Sequence, residues 1–337
     1  MSDQNRNGNY YADRRVLITG GLGFIGSNLA HALVDAGSTV TLVDSMIPRY
    51  GASLKNIDGL KDRVSINYSD IRDQYSLSHL VREQDVIFSL AGQVSHLESM
   101  SDPMTDLDIN CRSQLSLLEC CRSVNPSARI VFASTRQIYG RPQFLPVTEE
   151  HPLDPADVNG INKLAAEMYY TLYSKVYGMH TVSLRLTNTY GPRMDINSQH
   201  KGFVGVFLRQ ALRGEPIELF GTGEQRRDFN HVADVVTALL LAGQHDELRG
   251  SSFNLGHDEH YSLIQFVEIL RQLLPFEFQT VPFPDERQAI DIGHYYGDSS
   301  RFREMTGWAP AYDLPRGLSD TVQFFQQRPH TYSESLV

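Results

Sequence analysis

The sequence predicts an α/β protein: a doubly wound parallel sheet accompanied by a smaller α/β lobe. Three observations carry this. Short β-branched runs alternate with helical patterns through the first half, as parallel strands with crossover helices require. A glycine-rich turn joins the first run to the first helical pattern. After Leu186 the rhythm breaks into Gly- and Pro-rich stretches with shorter elements.

The expected strands are Arg15–Thr19, Thr39–Asp44, Val64–Tyr68, Asp85–Ala91, Arg129–Ala133 and Thr181–Leu186, with helices near Ser27–Ala36, Ser76–Arg82, Met104–Arg122 and Gly160–Tyr177. Ligands of such a sheet bind at the carboxyl ends of its strands. Beyond Leu186 the pattern predicts a helix near Val204–Arg213, a strand near Ile217–Phe220, a helix at Val232–Ala242 and a strand at Ser252–Leu255. A helix at Ser262–Leu274, a strand at Phe278–Val281 and short helices close the chain. The organisation expected is a flexible arm over 1–14, a domain built on the parallel sheet over 15–186 plus about 229–255, and the smaller lobe over 187–228 plus 256–330.

Composition narrows the function. With 337 residues, 41% hydrophobic and 21% charged, the chain buries a large core and is too apolar for disorder. A formal charge of -10 repels a phosphate backbone and argues against nucleic acid as a partner. No apolar run approaches the roughly 20 residues of a membrane span, and the first fourteen residues lack the apolar core of a signal peptide. Cys111, Cys120 and Cys121 offer neither a disulfide framework nor zinc spacing and suit a reducing compartment. These features predict a cytoplasmic protein that contacts no membrane. The twelve histidines show no paired metal-ligand spacing, so no metal is expected.

The sharpest local signal is VLITGGLGFIGSNLAHAL. Gly21, Gly23 and Gly26 form G-x-G-x-x-G between a strand and a helix, so the backbone approaches a pyrophosphate at the helix N-terminus. Asp44 ends the next expected strand, 18 residues past Gly26, where a carboxylate accepts from an adenosine ribose and repels a 2′-phosphate. The fold is therefore read as Rossmann-type and the cofactor as NAD.

Further motifs follow in order: SDIRD (Ser69–Asp73), LAGQV (Leu90–Val94), ASTRQIYG (Ala133–Gly140), NKLAAE (Asn162–Glu167), NTYGPR (Asn188–Arg193), GTGEQRRDFNHVADV (Gly221–Val235) and TGWAP (Thr306–Pro310). With TGGLGFIG they resemble the extended short-chain dehydrogenase/reductase family of nucleotide-sugar epimerases, dehydratases and decarboxylases. Within it, LAGQV, the strand end with Ser134 and Thr135, and the tail look most like CDP-tyvelose and CDP-paratose 2-epimerases; NTYGPRM also resembles UDP-glucuronate decarboxylases.

The resemblance implies NAD contacts from Gly20, Gly21, Gly23, Phe24, Ile25, Gly26 and Asp44, adenine contacts from Asp70 and Ile71, and nicotinamide contacts from Leu90, Ala91 and Gly92. It gives Lys163 to the nicotinamide ribose and Asn110 to support of the site. For the nucleotide sugar it implies Asn188 and Arg227, with Gln93, Thr135, Arg193, Phe203, Val204, Phe220 and Arg287 as further contacts. It also implies a homodimer through a four-helix bundle of Met104–Arg122 and Gly160–Tyr177, with Leu115, Leu118, Met168 and Tyr169 supplying surplus apolar area.

The family's chemistry is transient oxidation of the sugar, with a tyrosine four residues before the lysine as base. Here Thr135 and Lys163 are present, but the tyrosine position holds Asn159, whose amide accepts no proton. His96 and Glu98, in an expected loop after LAGQV, are the leading substitutes, ahead of Tyr139 and Tyr190. The dehydratases and decarboxylases carry carboxylates just after the threonine; Arg136 and Gln137 stand there instead. Epimerisation through a keto-sugar, which requires no second carboxylate, is the expected reaction, with decarboxylation or dehydration, or a non-catalytic sensor of dinucleotide and sugar nucleotide, as the alternatives.

Overall fold

The computed structural model describes residues 10–197, 202–288 and 291–328. Its frame is a seven-stranded sheet in the order β10-β6-β5-β4-β1-β2-β3, every neighbouring pair parallel. The strands are β1 (Arg15–Thr19), β2 (Thr39–Val43), β3 (Val64–Asn67), β4 (Val86–Ser89), β5 (Arg129–Thr135), β6 (His180–Leu186) and β10 (Ser251–Leu255). The order reverses between β1 and β4, which opens the crevice where a dinucleotide lies in such sheets.

Alternation along each strand feeds two apolar layers. Val16, Ile18, Val40, Leu42 and Phe88 pack with Leu29 and Leu33 of helix α1 (Phe24–Asp35). Leu17, Ile87, Ile130 and Phe132 face the opposite layer. There they meet Leu77 of α2 (Gln74–Leu80), Leu117 and Leu118 of α5 (Ser113–Val124), and Tyr170 of α6 (Val158–Tyr177). Because both faces are covered, the strands read as nearly continuous apolar runs. Leu118 is therefore core rather than spare surface, whereas Met168 on α6 is 63% exposed.

Helix α6 starts at Asp157, whose side chain accepts from Gly160 N, and stops at Gly178 in the left-handed region. The expected helix Met104–Arg122 is divided: α4 (Pro103–Leu107) follows the cap Asp102, a π turn spans Asp108–Arg112, and α5 resumes. His96 and Glu98 lie in a short helix, α3 (His96–Ser101), instead of the expected loop. Ser95 makes the difference by accepting from Glu98 N at 3.2 Å.

The smaller lobe has its own apolar cluster, built from Phe207 of α7 (Phe203–Arg213), Phe266 of α9 (Leu263–Leu273) and Leu318 of α12 (Leu314–Gln326). It includes a parallel pair, β8 (Ile217–Phe220) with β12 (Phe278–Val281). A three-stranded sheet adds β7 (Asn188–Tyr190), β9 (Arg226–His231) and β11 (His260–Ser262). Helix α8 (Val232–Gln244) then returns to the large sheet, in whose apolar layer Val235 and Leu239 are buried. Of the expected arm, residues 1–9 lie outside the described residues. Its end is anchored rather than loose, because Tyr11 is buried and its hydroxyl donates to Leu240 O at 2.7 Å. Among the described residues no helix is long and apolar enough to cross a membrane.

Candidate active site

A cavity of about 830 Å³ runs from the glycine turn across the strand ends to the smaller lobe. At one end the chain makes room for a phosphate. Gly20 has φ +69°, and a Cβ on Gly26 would stand 2.2 Å from Gly20 O, so that close approach admits glycine alone. Helix α1 begins at Gly23 with no side-chain cap and no acidic residue in its first turn. Its free N–H groups and positive end thus face the cavity, a setting that favours an anion. Gly20, Gly23, Phe24, Ile25 and Gly26 line the wall. Gly21 does not, because it backs onto β2, where a Cβ would meet Leu42 at 2.8 Å.

Asp44 follows β2 and accepts from Leu22 N and Met46 N, each at 3.0 Å and each on a different oxygen. Burial raises its pKa, and these two amides oppose the rise. The remaining lone pairs suit the two hydroxyls of a ribose. Asp70 and Ile71 line the same end, with the Asp70 carboxylate clasped by Arg72 at 2.9 and 2.7 Å.

Farther along, Leu90, Ala91 and Gly92 form the wall beside Thr135 and Lys163. Lys163 Nζ donates to Ala133 O at 3.0 Å. Burial lowers its pKa to about 8, while Asp106 acts in the opposite sense. A Cβ on Gly92 would fall 2.9 Å from Asn110 Oδ1 and 3.2 Å from Lys163 Nζ. Asn110 Oδ1 is buried without a hydrogen-bond partner. An orphaned acceptor and a lysine at a glycine-floored wall fit a bound dinucleotide. Thr135 caps the 3-10 turn Arg136–Tyr139 by accepting from Gln137 N at 3.2 Å.

Asn159 is only 2% exposed. Its Nδ2 donates to Gln93 O at 2.8 Å and Asp106 Oδ2 at 2.9 Å. Asp106 also accepts from Asn162 Nδ2 at 2.8 Å and Asn110 Nδ2 at 3.0 Å. The position expected to hold a base instead closes a buried cluster of one carboxylate and four amides, those of Asn110, Asn159, Asn162 and Gln93. Gln93 belongs to that cluster rather than to the substrate wall: its Oε1 accepts from Ser95 N at 2.7 Å, and its side chain is buried behind the cavity lining.

His96 takes a different setting. Its ring lines the cavity, with Nδ1 hydrogen-bonded to Asp157 Oδ2 and Nε2 2.6 Å from Gln137 Nε2. Burial raises the Asp157 pKa, but the hydrogen bond and charge of His96, with the Gly160 amide and Arg136, bring it below the ordinary carboxylate value. An ionised Asp157 accepts Nδ1–H, which leaves Nε2 as an acceptor facing the Gln137 amide. Glu98 does not line the cavity; it lies 3.4 Å from Gln93 Nε2. Tyr139 and Tyr190 are fully buried. Burial pushes Tyr139 to about 12, and its hydroxyl donates to Asn254 Oδ1 at 2.7 Å. Burial also raises Tyr190 strongly.

At the lobe end, Asn188, Phe203, Val204, Phe220 and Arg227 line the cavity. Asn188 Nδ2 donates to Asp228 O at 2.9 Å. Arg227 donates to Gly293 O and Arg226 O and lies 3.7 Å from Asp291. Arg193, expected to touch substrate, is turned away: Nε donates to Asn56 O at 3.1 Å and NH1 to Asn28 Oδ1 at 2.9 Å. The side chain of Arg287 lies outside the described residues. Sequence reasoning missed Asp157, Gln137 as a partner of His96, and Asp106. Asp157 was recognisable as a helix cap before Gly160, but nothing local signals a histidine 61 positions earlier.

A glycine turn at a strand–helix junction, a carboxylate after the next strand and a buried lysine along one cleft define a dinucleotide-dependent enzyme on a Rossmann sheet. The chain belongs to the NAD dependent epimerase/dehydratase family, whose profile matches residues 16–256. It is 31% identical over 321 residues to UDP-glucose 4-epimerase of Mycolicibacterium smegmatis, covering 93% of this chain and 99% of that one. It is 31% identical over 319 residues to UDP-glucuronic acid decarboxylase 1 of Xenopus tropicalis, covering 93% and 72%. Its fold matches the crystal structure of UDP-glucose 4-epimerase with UDP-glucose from Thermotoga maritima with a TM-score of 0.84 at 30% identity, covering 93% and 99%. NAD is thus the cofactor, and Gly20, Gly23, Gly26, Asp44, Gly92 and Lys163 line the cavity that would receive it.

Proposed function

We propose that the chain is a nucleotide-sugar epimerase that works through a transient keto-sugar, with His96 as proton acceptor. One observation carries the reading: the His96 ring stands in the cavity wall with a carboxylate on Nδ1 and a side-chain amide, that of Gln137, on Nε2. The relatives named above act on UDP-sugars by name, which supports a nucleotide-sugar substrate.

NAD, when bound, supplies the acceptor and later the donor of a hydride. His96 Nε2 takes the proton of the sugar hydroxyl as the carbon loses its hydride and the carbon–oxygen double bond forms. Asp157 stabilises the imidazolium and keeps Nδ1 protonated, as an orienting carboxylate does in other histidine bases. Half a turn of the Gln137 amide would present its Oε1, which is buried without a partner, to the new Nε2–H. Thr135, which lines the same cavity, donates to the sugar oxygen. Lys163 holds a positive charge at the same wall. Once the ketone has turned its other face, His96 returns the proton to oxygen and the hydride returns to carbon, so the net product is an isomer. Arg136 and Gln137 stand where the resemblance implies carboxylates for elimination or decarboxylation, which favours the epimerase.

The test is incubation of purified protein and NAD with UDP-, dTDP- and CDP-sugars, followed by NMR and mass spectrometry. An epimer of unchanged mass is expected. Loss of carbon dioxide or water would establish the decarboxylase or dehydratase instead, and tight binding without any product would leave a sensor. We also infer a homodimer formed through α4, α5 and α6.

A further inference from the structure

Arg136 follows Thr135 at the carboxyl end of β5 and lines the cavity beside Gln137 and Asp157. Its guanidinium lies 5.0 Å from the centroid of the Tyr295 ring. Among the described residues it has no hydrogen-bond or ion-pair partner. Two more deeply buried arginines differ. Arg185 is paired with Glu167 at 2.6 Å, and Arg227 is bonded to two backbone carbonyls.

Three carboxylates are near enough to influence Arg136: Asp228, Asp157 and Asp291. None forms an ion pair with it, although Asp228 Oδ1 is itself without a hydrogen-bond partner. Asp228 Oδ2 accepts from Gly297 N at 3.0 Å, Asp157 serves His96 and Gly160, and Asp291 accepts from Gly293 N at 3.0 Å while facing Arg227. Arg136 is half-buried at the cavity wall, where its guanidinium presents five N–H donors in a planar fork that no protein acceptor among the described residues meets. The fork matches a carboxylate bidentately. A neutral hydroxymethyl group would leave the charge unmatched.

We propose that Arg136 receives a carboxylate carried by the sugar, so that the substrate is a nucleotide-linked sugar acid. This rests on the reading of the cavity as a nucleotide-sugar site. Arg136 follows Thr135 and lies beside the partners of His96, which assigns it to the reacting end, with Arg227 close enough for the two positive charges to repel.

The test is calorimetric titration of the NAD-loaded protein with UDP, UDP-glucose and UDP-glucuronate, for the wild type, Arg136→Met and Arg136→Lys. A charge-assisted pair predicts that UDP-glucuronate binds about 10- to 100-fold tighter than UDP-glucose. Arg136→Met should erase that preference while leaving UDP and UDP-glucose unchanged. Arg136→Lys should keep part of it, and it carries the test if the methionine variant fails to fold. Equal affinity for the two sugars, failure of both to bind, or a preference that survives in both variants would overturn the assignment. An equal loss for UDP alone would do so too, by moving Arg136 to the diphosphate. UDP-glucose epimerised with no preference for the acid sinks this inference alone. UDP-glucuronate bound with the Arg136-dependent preference but recovered unchanged sinks the epimerase and leaves the sugar-acid site standing.

Discussion

Asn159 Nδ2 and Asp106 Oδ2 lie 2.9 Å apart, with Asn159 buried at the cavity wall and Asp106 behind it. The amide in the tyrosine's place is therefore a structural donor to a buried carboxylate. Asn159→Tyr should not raise turnover, and it should lower the melting temperature, because a phenol overfills the site and removes a donor from Asp106. Asn159→Ala should cost about 1–3 kcal/mol from the weakened cluster. Thermal melts run beside steady-state kinetics separate the two effects. A tyrosine variant with higher kcat would show that a phenol base fits there after all.

His96→Asn should reduce kcat by roughly 100- to 10,000-fold, the usual contribution of a positioned base, with NAD affinity unchanged. Asp157→Asn should also lower kcat, since an amide no longer requires Nδ1 to carry the proton. Its effect on KM should be small. Full activity in the His96 variant would remove the proposed acceptor.

The large sheet was legible because buried parallel strands write themselves as apolar runs, and all six expected strands appear within a few residues of their bounds. β9 was not, because its sequence is RRDFNH. Arg227, Asp228, Asn230 and His231 are buried there and are held in part by distant partners, Asn230 donating to Leu255 O and Asp228 accepting from the Gly297 amide. The phosphate turn and Asp44 act through local backbone geometry, so their spacing announced them. The His96–Asp157 pair joins α3 to the cap of α6 across the fold, and Asn159 read alone looks like a weakened catalytic residue. Only the tertiary arrangement shows that one has a carboxylate behind it and the other is spent on Asp106.

Asp228 offers a pH test. Burial raises its pKa from 3.8 to about 6. Between those values the folded protein holds a proton that the unfolded chain has released, so this group's contribution to stability falls as pH rises through the window and stays unfavourable above it. Asp228→Asn keeps an oxygen for Gly297 N and removes the buried charge. It should stabilise the protein above pH 6, by up to ~3 kcal/mol, with the gain fading below about pH 4. Denaturant titrations at several pH values check this; a constant difference would locate the effect elsewhere.

The last prediction concerns assembly. On α6, Ile161, Met168 and Leu172 are 53%, 63% and 48% exposed, and their spacing of seven and then four residues aligns them on one face. Met104 and Leu107 of α4, which packs against α6, are exposed as well. A stripe of large apolar side chains on two adjacent helices is costly in water at about 25 cal/mol per Å² and marks an interface. A second copy of the same face, related by a two-fold axis, would bury it against itself. Light scattering should therefore give a dimer for the wild type at micromolar concentration. Met168→Lys combined with Leu172→Lys should give a monomer, because two ammonium groups from each copy would meet at the centre of the interface. The residues are exposed in the single chain, so the double variant should still fold and bind NAD. A wild-type protein that is already monomeric would mean that this stripe serves some other contact.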